Sequence, residues 1–319
     1  MQVRAAGSHR DVTLRALAVA TAVATYALVV LGSTVRVTES GMGCPGWPLC
    51  YGQLGPIDRF HALLEQSHRY LAAAVTIGVV ATALIALRRR PRPVATRPAL
   101  AGAGLIVVQI VLGAVTVFAH NAPPTVAAHL VTGLVLLSLV TVTAVAALAP
   151  HEEAPARGLG PLGWWATGGA LLLLVSGSLV VDGGASATCP SWPGCPVAGV
   201  AGPLVALQLV HRGLGLAAGT AMLAFSVRAW RRWPATRGAR PLAAATVALL
   251  AATGAIGAVT GLLRAPEVWQ DAHLAAAAAT LVAVGALASL GWLAGADGRP
   301  AVERPRGSGE GASASSAAR

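Results

Sequence analysis

Apolar residues in this chain run almost unbroken for about twenty positions at a time, the length a helix needs to cross a bilayer's hydrocarbon core. Eight such runs can be traced, at 14–34, 66–87, 99–119, 126–148, 164–182, 205–227, 241–262 and 272–294. A segment in lipid has to satisfy its backbone polar groups internally, which a helix does within one run. The pattern therefore predicts an all-α polytopic membrane protein with eight transmembrane helices. The first run is read as a retained helix rather than a cleaved leader. It ends in Gly32-Ser33-Thr34-Val35-Arg36 and shows no small-x-small cleavage site.

The polar residues that interrupt the runs repeat. His68 and His129 lie 61 residues apart, His211 and His273 lie 62 apart, and an offset of 143 or 144 lays one pair on the other. A shift of 145 carries Cys44-Pro45-Gly46-Trp47-Pro48-Leu49-Cys50 onto Cys189-Pro190-Ser191-Trp192-Pro193-Gly194-Cys195. A shift of 144 carries Gly113-Ala114-Val115-Thr116 onto Gly257-Ala258-Val259-Thr260. This is a tandem duplication. An even number of spans per repeat gives both halves one orientation, related by a pseudo-two-fold along the membrane normal. The expected domains are a four-helix bundle over 1–150, a second over 151–296, and a disordered tail over 297–319, where Gly, Ser, Ala, Pro and Arg show no apolar periodicity.

Composition agrees and charge adds direction. Hydrophobic residues make up 55% and charged residues 11%, against about a quarter charged in soluble domains. All the basic residues are arginine. They gather near the N-terminus (Arg4, Arg10, Arg15), at 88–97, at Arg157, at 228–240 and in the tail. The opposite side has Arg36, Arg59 and Arg264. By the positive-inside rule both termini are cytoplasmic, in a cell membrane, and the loops at 35–64 and 183–203 lie outside. Topology accounts for the net charge of +11, so no nucleic-acid partner is expected.

The two outer loops hold all four cysteines. In an oxidising compartment, matched spacing reads as disulfides Cys44–Cys50 and Cys189–Cys195 that stiffen each loop; a thiol-redox role and a zinc site are the alternatives. The four duplicated histidines sit at similar depth near the loop ends of the even-numbered helices. A lone membrane histidine is commonly a packing hydrogen bond, but two per half on separate helices suggest axial ligation of a haem in each half. Arg69 and Arg212 follow two of these histidines. They are read as contacts for haem propionates, or else as side chains snorkelling to the interface. His61 and His120 lack histidine counterparts, so a gating or proton-path role fits them better than ligation. The halves also differ at Glu65, one turn before His68, which aligns with Gln208 before His211. A carboxylate there can accept a proton or stabilise developing positive charge, whereas glutamine cannot. The alternative for Glu65 is an ion-pair partner for Arg69 or Arg59; the reactive reading makes the first half catalytic and the second a redox-cofactor site.

With Glu65-Gln66-Ser67-His68-Arg69, His129, His211-Arg212, His273 and the cysteine loop with its preceding Gly41-Met42-Gly43, the chain resembles the haem A synthases of bacterial and mitochondrial membranes. The resemblance spans all eight helices. It implies oxidation of the C8 methyl of haem O to a formyl group, giving haem A for terminal oxidases. It further implies that His68 and His129 flank substrate haem O, that Glu65 is catalytic, and that His211 and His273 ligate a haem B cofactor. Haem O synthase and an electron acceptor are the partners such a reaction implies. A second cysteine pair, as at Cys189 and Cys195, occurs in only some members.

Overall fold

A computed structural model describes residues 2–54, 58–89, 93–149, 159–195 and 202–296. Among them are eight long α-helices and no β-strand. They are α1 (Gln2–Val37), α2 (Phe60–Arg89), α3 (Pro93–Phe118), α4 (Pro123–Leu148), α5 (Gly160–Asp182), α6 (Pro203–Arg232), α7 (Ala239–Leu262) and α8 (Glu267–Ala296). Several extend beyond the apolar runs that mark them, because a helix continues past the hydrocarbon into the interface. Seven are long and apolar enough to cross a membrane. The exception is α6, which at 30 residues is long enough, but Gln208, His211, Arg212 and Arg228 dilute its apolar character. The tail at 297–319 and the expected 150/151 boundary lie outside the described residues.

Neighbour relations repeat with the sequence. Helix α1 packs on α2, α2 on α3, α3 on α4, and α4 returns to α1; α5 through α8 close a second ring in the same order. Thus α6 holds in the second ring the place that α2 holds in the first. The rings meet through α4 against α8, flanked by α1 against α8 and α4 against α5. The central pair is also the most enclosed: half of the α4 span and 56% of the α8 span are buried, against 17% for peripheral α7. Each central helix supplies a residue to the other ring's core. Leu134 of α4 is fully buried among Leu281, Val284 and Phe225, while Ala278 of α8 is buried among Val75, Leu136 and Leu137. Leu134 and Ala278 are duplicates, 144 positions apart. The pseudo-two-fold therefore passes between α4 and α8.

Hydroxyl side chains in the spans are neutralised locally. Thr25, Thr141, Thr246 and Ser289 each donate to the carbonyl four residues earlier, at 2.7–2.8 Å. A few longer-range polar contacts tie the rings together. Tyr26 donates to the Ala275 carbonyl at 3.1 Å, and Thr34 to Asp271 at 2.7 Å. Arg36, at the end of α1, forms an ion pair with Asp182, at the end of α5, and also donates to the Ser178 carbonyl at 3.2 Å.

Candidate functional site

Each duplicated histidine leans against a glycine on the preceding helix. His68 meets Gly32, His129 meets Gly113, His211 meets Gly177 and His273 meets Gly257. A Cβ built on these glycines would lie 3.0, 3.2, 3.2 and 2.6 Å from the imidazole Cε1 atoms, so the ring occupies the volume that any side chain would take. A hydrogen atom at these four positions is what lets an imidazole lie between two close helices. The sequence reading did not single out Gly32 and Gly177 for this task. Their signal was present, since both fall on the repeat offset of 145.

In the second ring, His211 and His273 face each other with ring centroids 6.4 Å apart and planes at 84°. A metal–nitrogen distance near 2.0–2.1 Å on each side puts two ligating imidazole centres about 6 Å apart, so one metal fits between them. Their hydrogen bonds also fix the right tautomer. Nδ1 of His211 is 2.8 Å from Oγ of Ser176, whose own proton goes to the Leu173 carbonyl at 2.7 Å. A hydroxyl has one proton to give, so Nδ1 donates and Nε2 keeps its lone pair. His273 reaches the same state by placing Nδ1 3.1 Å from the Thr253 carbonyl, which only accepts. Metal-binding histidines are commonly braced in this way.

In the first ring, His68 and His129 line one cavity of about 990 Å³, together with Glu65, Arg69 and His120. This is at the top of the range for small-molecule sites. The cavity runs down to Ile77 and Ile106 and reaches Asp182 and Leu274 of the second ring. Ile77 is 70% exposed on the outside of α2, so the wall there adjoins the lipid-facing surface.

Both cysteine pairs are disulfides, Cys44–Cys50 and Cys189–Cys195, with Cα–Cα distances of 4.7 and 5.2 Å. No thiolate is left for zinc, and Cys44, Cys50 and Cys189 are buried. Arg69 and Arg212, the expected propionate contacts, both reach the backbone of their own ring's loop. Nη1 of Arg69 donates to the carbonyls of Gly46, Pro48 and Leu49 at 2.6–3.3 Å, and Nη1 of Arg212 to those of Ser191, Pro193 and Gly194 at 2.6–3.1 Å. Nη2 adds the carbonyl of Cys44 in one loop and of Cys189 in the other. Each terminal nitrogen is thus turned toward loop carbonyls, fastening the loop to its helix. The planar five-donor fork of arginine suits that task.

Glu65 joins the same assembly. It is 5% exposed, accepts from Nη2 of Arg69 at 2.5 Å, and accepts from the Cys44 backbone N–H at 2.7 Å. The expected ion pair with Arg69 is present, while Arg59 instead donates to the Tyr51 hydroxyl. Gln208 reverses the polarity of the contact, donating to the carbonyls of Ala185 and Ser186 at 2.8 and 3.1 Å. His61 bonds through Nδ1 to Ser40 at 2.8 Å, away from the paired histidines, whereas His120 borders the cavity.

Fold and site together define a polytopic helical membrane protein with a histidine pair and a disulfide-bonded loop in each of two rings. The COX15-CtaA family, described as cytochrome oxidase assembly protein, matches residues 15–62 and 58–285, and the chain belongs to that family. The chain is 30% identical over 269 residues to the heme A synthase of Symbiobacterium thermophilum, covering 77% of this chain and 85% of that protein. It is 36% identical over 192 residues to the heme A synthase of Geobacillus thermodenitrificans, covering 57% and 61%. A protoheme IX farnesyltransferase of Haloarcula marismortui is 40% identical over 145 residues, 44% of this chain but 29% of that protein. The chain thus spans less than a third of the farnesyltransferases that it matches.

Proposed function

We propose that the chain is a haem A synthase that oxidises the C8 methyl of haem O to a formyl group in two successive two-electron steps, with water supplying the formyl oxygen and four protons and four electrons leaving. The first ring is the substrate compartment and the second the cofactor compartment. The observation that carries this reading is the cavity in which His68, His129 and Glu65 meet, large enough for a prenylated porphyrin. Its wall at Ile77, next to the lipid-facing surface, suits an apolar isoprenoid tail. His68 and His129 grip the substrate iron from α2 and α4. Glu65 places a carboxylate beside the reacting porphyrin, where it takes up a proton and offsets positive charge as electrons leave. Its two donors, Arg69 and the Cys44 N–H, hold that carboxylate at one position.

His211 and His273 hold haem B, which when bound supplies the electron-accepting centre through which substrate electrons leave. The 6.4 Å ring spacing and the Nδ1-protonated tautomers support that assignment. The arginine distribution supports cytoplasmic termini and external loops. The substrate is the product of prenyl transfer onto protohaem. The match to part of the Haloarcula farnesyltransferase, over a stretch the length of one repeat, supports haem O synthase as the neighbour that hands it over. A separate electron acceptor would be needed to carry those electrons onward.

Co-expression with a haem O synthase, followed by mass analysis of the extracted haems, tests the reading. Haem A accompanied by haem B is the expected result. Haem B alone, with haem O left unoxidised in the membrane, overturns it in favour of a di-haem electron carrier.

A further inference from the structure

His68 and His211 meet their glycines in closely matching ways, yet they differ in what holds the other side of the imidazole. The Gly32 position lies 3.0, 3.6 and 3.8 Å from Cε1, Nδ1 and Nε2 of His68; the Gly177 position lies 3.2, 3.8 and 3.9 Å from the same atoms of His211. The residue before each glycine is where the repeat diverges: Leu31 in the first ring, Ser176 in the second. Ser176 accepts from Nδ1 of His211 and passes its own proton to the Leu173 carbonyl. Nδ1 of His68 is buried and has no hydrogen-bond partner, and the same holds for Nδ1 of His129. His273, the counterpart of His129, is braced by the Thr253 carbonyl. At the position that aligns with Thr253, Gln109 turns its amide to the backbone carbonyl of His129 at 2.9 Å.

An Nδ1–H acceptor fixes ring orientation and raises the basicity of Nε2, and removing one commonly weakens metal affinity about 10–100-fold. A resident cofactor needs such bracing. A substrate that must arrive as one molecule and leave as another needs ligands that let go. Resting on the haem assignment above, we propose that Ser176 is a positioning residue that makes the second histidine pair a permanent clamp, and that Leu31 leaves the first pair exchangeable. The difference between cofactor and substrate sites is thus encoded behind the ligands, one residue before a shared glycine.

The test is haem release from the purified full-length protein to excess apomyoglobin in detergent, with the midpoint potential of the retained haem as a second readout. Ser176→Ala should speed release of haem B about 10–100-fold and raise its potential, since a less basic imidazole favours the ferrous state. Ser176→Thr, which keeps the hydroxyl, should restore both values. Leu31→Ser should act in the opposite sense, slowing release of haem O from the first ring, because the matching glycine contacts present His68 to position 31 as His211 is presented to Ser176. Wild-type release rates and potentials in both Ser176→Ala and Leu31→Ser overturn the inference while leaving the haem assignment intact. Full haem B retention in His211→Ala overturns the assignment itself and the inference with it.

Discussion

At the scale of single residues, Glu65 and the backing glycines lead to the sharpest expectations. Glu65→Gln removes the negative charge while keeping the size of the side chain. General acid–base groups commonly contribute about 10²–10⁴-fold to rate, so haem A output should fall by at least about 100-fold with both haems still loaded, measured by extracted haem per protein. Gly257→Ala introduces a Cβ 2.6 Å from Cε1 of His273, a separation that requires the ring or helix to move. Haem B content should drop while the helical circular-dichroism signal stays unchanged. Unaltered haem content would show that the close approach is not needed for ligation. The duplicated histidines were legible in the sequence because imidazoles stand out in an apolar run and recur at one offset. Ser176 was not, since a hydroxyl satisfied inside its own helix looks like any other membrane serine until its second partner is visible.

At the scale of elements, the loops and their helices form one unit. The cysteine spacing announced the disulfides, but nothing in a one-dimensional pattern shows that a loop will turn its carbonyls toward a guanidinium eighteen or more positions away. That contact makes Arg69 and Arg212 a clamp on their loops, a task that their place after a histidine does not announce. Arg212→Lys keeps the charge but loses the fork, stranding the part-buried Ser191 and Cys189 carbonyls at up to about 1–3 kcal/mol each. The loop at 183–195 should then become the first site of proteolysis, and the detergent melting temperature should fall; unchanged cleavage would refute the clamp. In the first ring the same loop also holds Glu65 through the Cys44 N–H. Cys44→Ser with Cys50→Ser should therefore lower oxidation more than it lowers haem loading, a split visible by comparing turnover with bound haem.

At the scale of the whole molecule, the duplication read from the sequence reappears as two helical rings around an axis between α4 and α8. What the repeat could not reveal is the set of contacts that break the symmetry. Arg36 and Asp182 align with Val181 and Val37, so their ion pair has no duplicate and joins the rings at a single place. Their side chains are 18% and 10% exposed, and breaking a buried pair by removing one partner typically costs about 3–5 kcal/mol. Asp182→Asn should lower the melting temperature of the intact protein, and Arg36→Met combined with Asp182→Leu should recover much of the loss. An equally unstable double variant would locate the effect elsewhere. The shortfall of α6 in apolar character has a partly similar origin, because Gln208, His211 and Arg212, three of the polar residues that lower it, are turned to the site.

Leu134 and Ala278 each complete a core that belongs to the opposite ring. Neither ring can bury its central helix by itself, so severing the chain between them should leave two fragments that seek each other out. A single repeat on its own would leave that face of its central helix bare, and pairing with a second copy is how it would be covered.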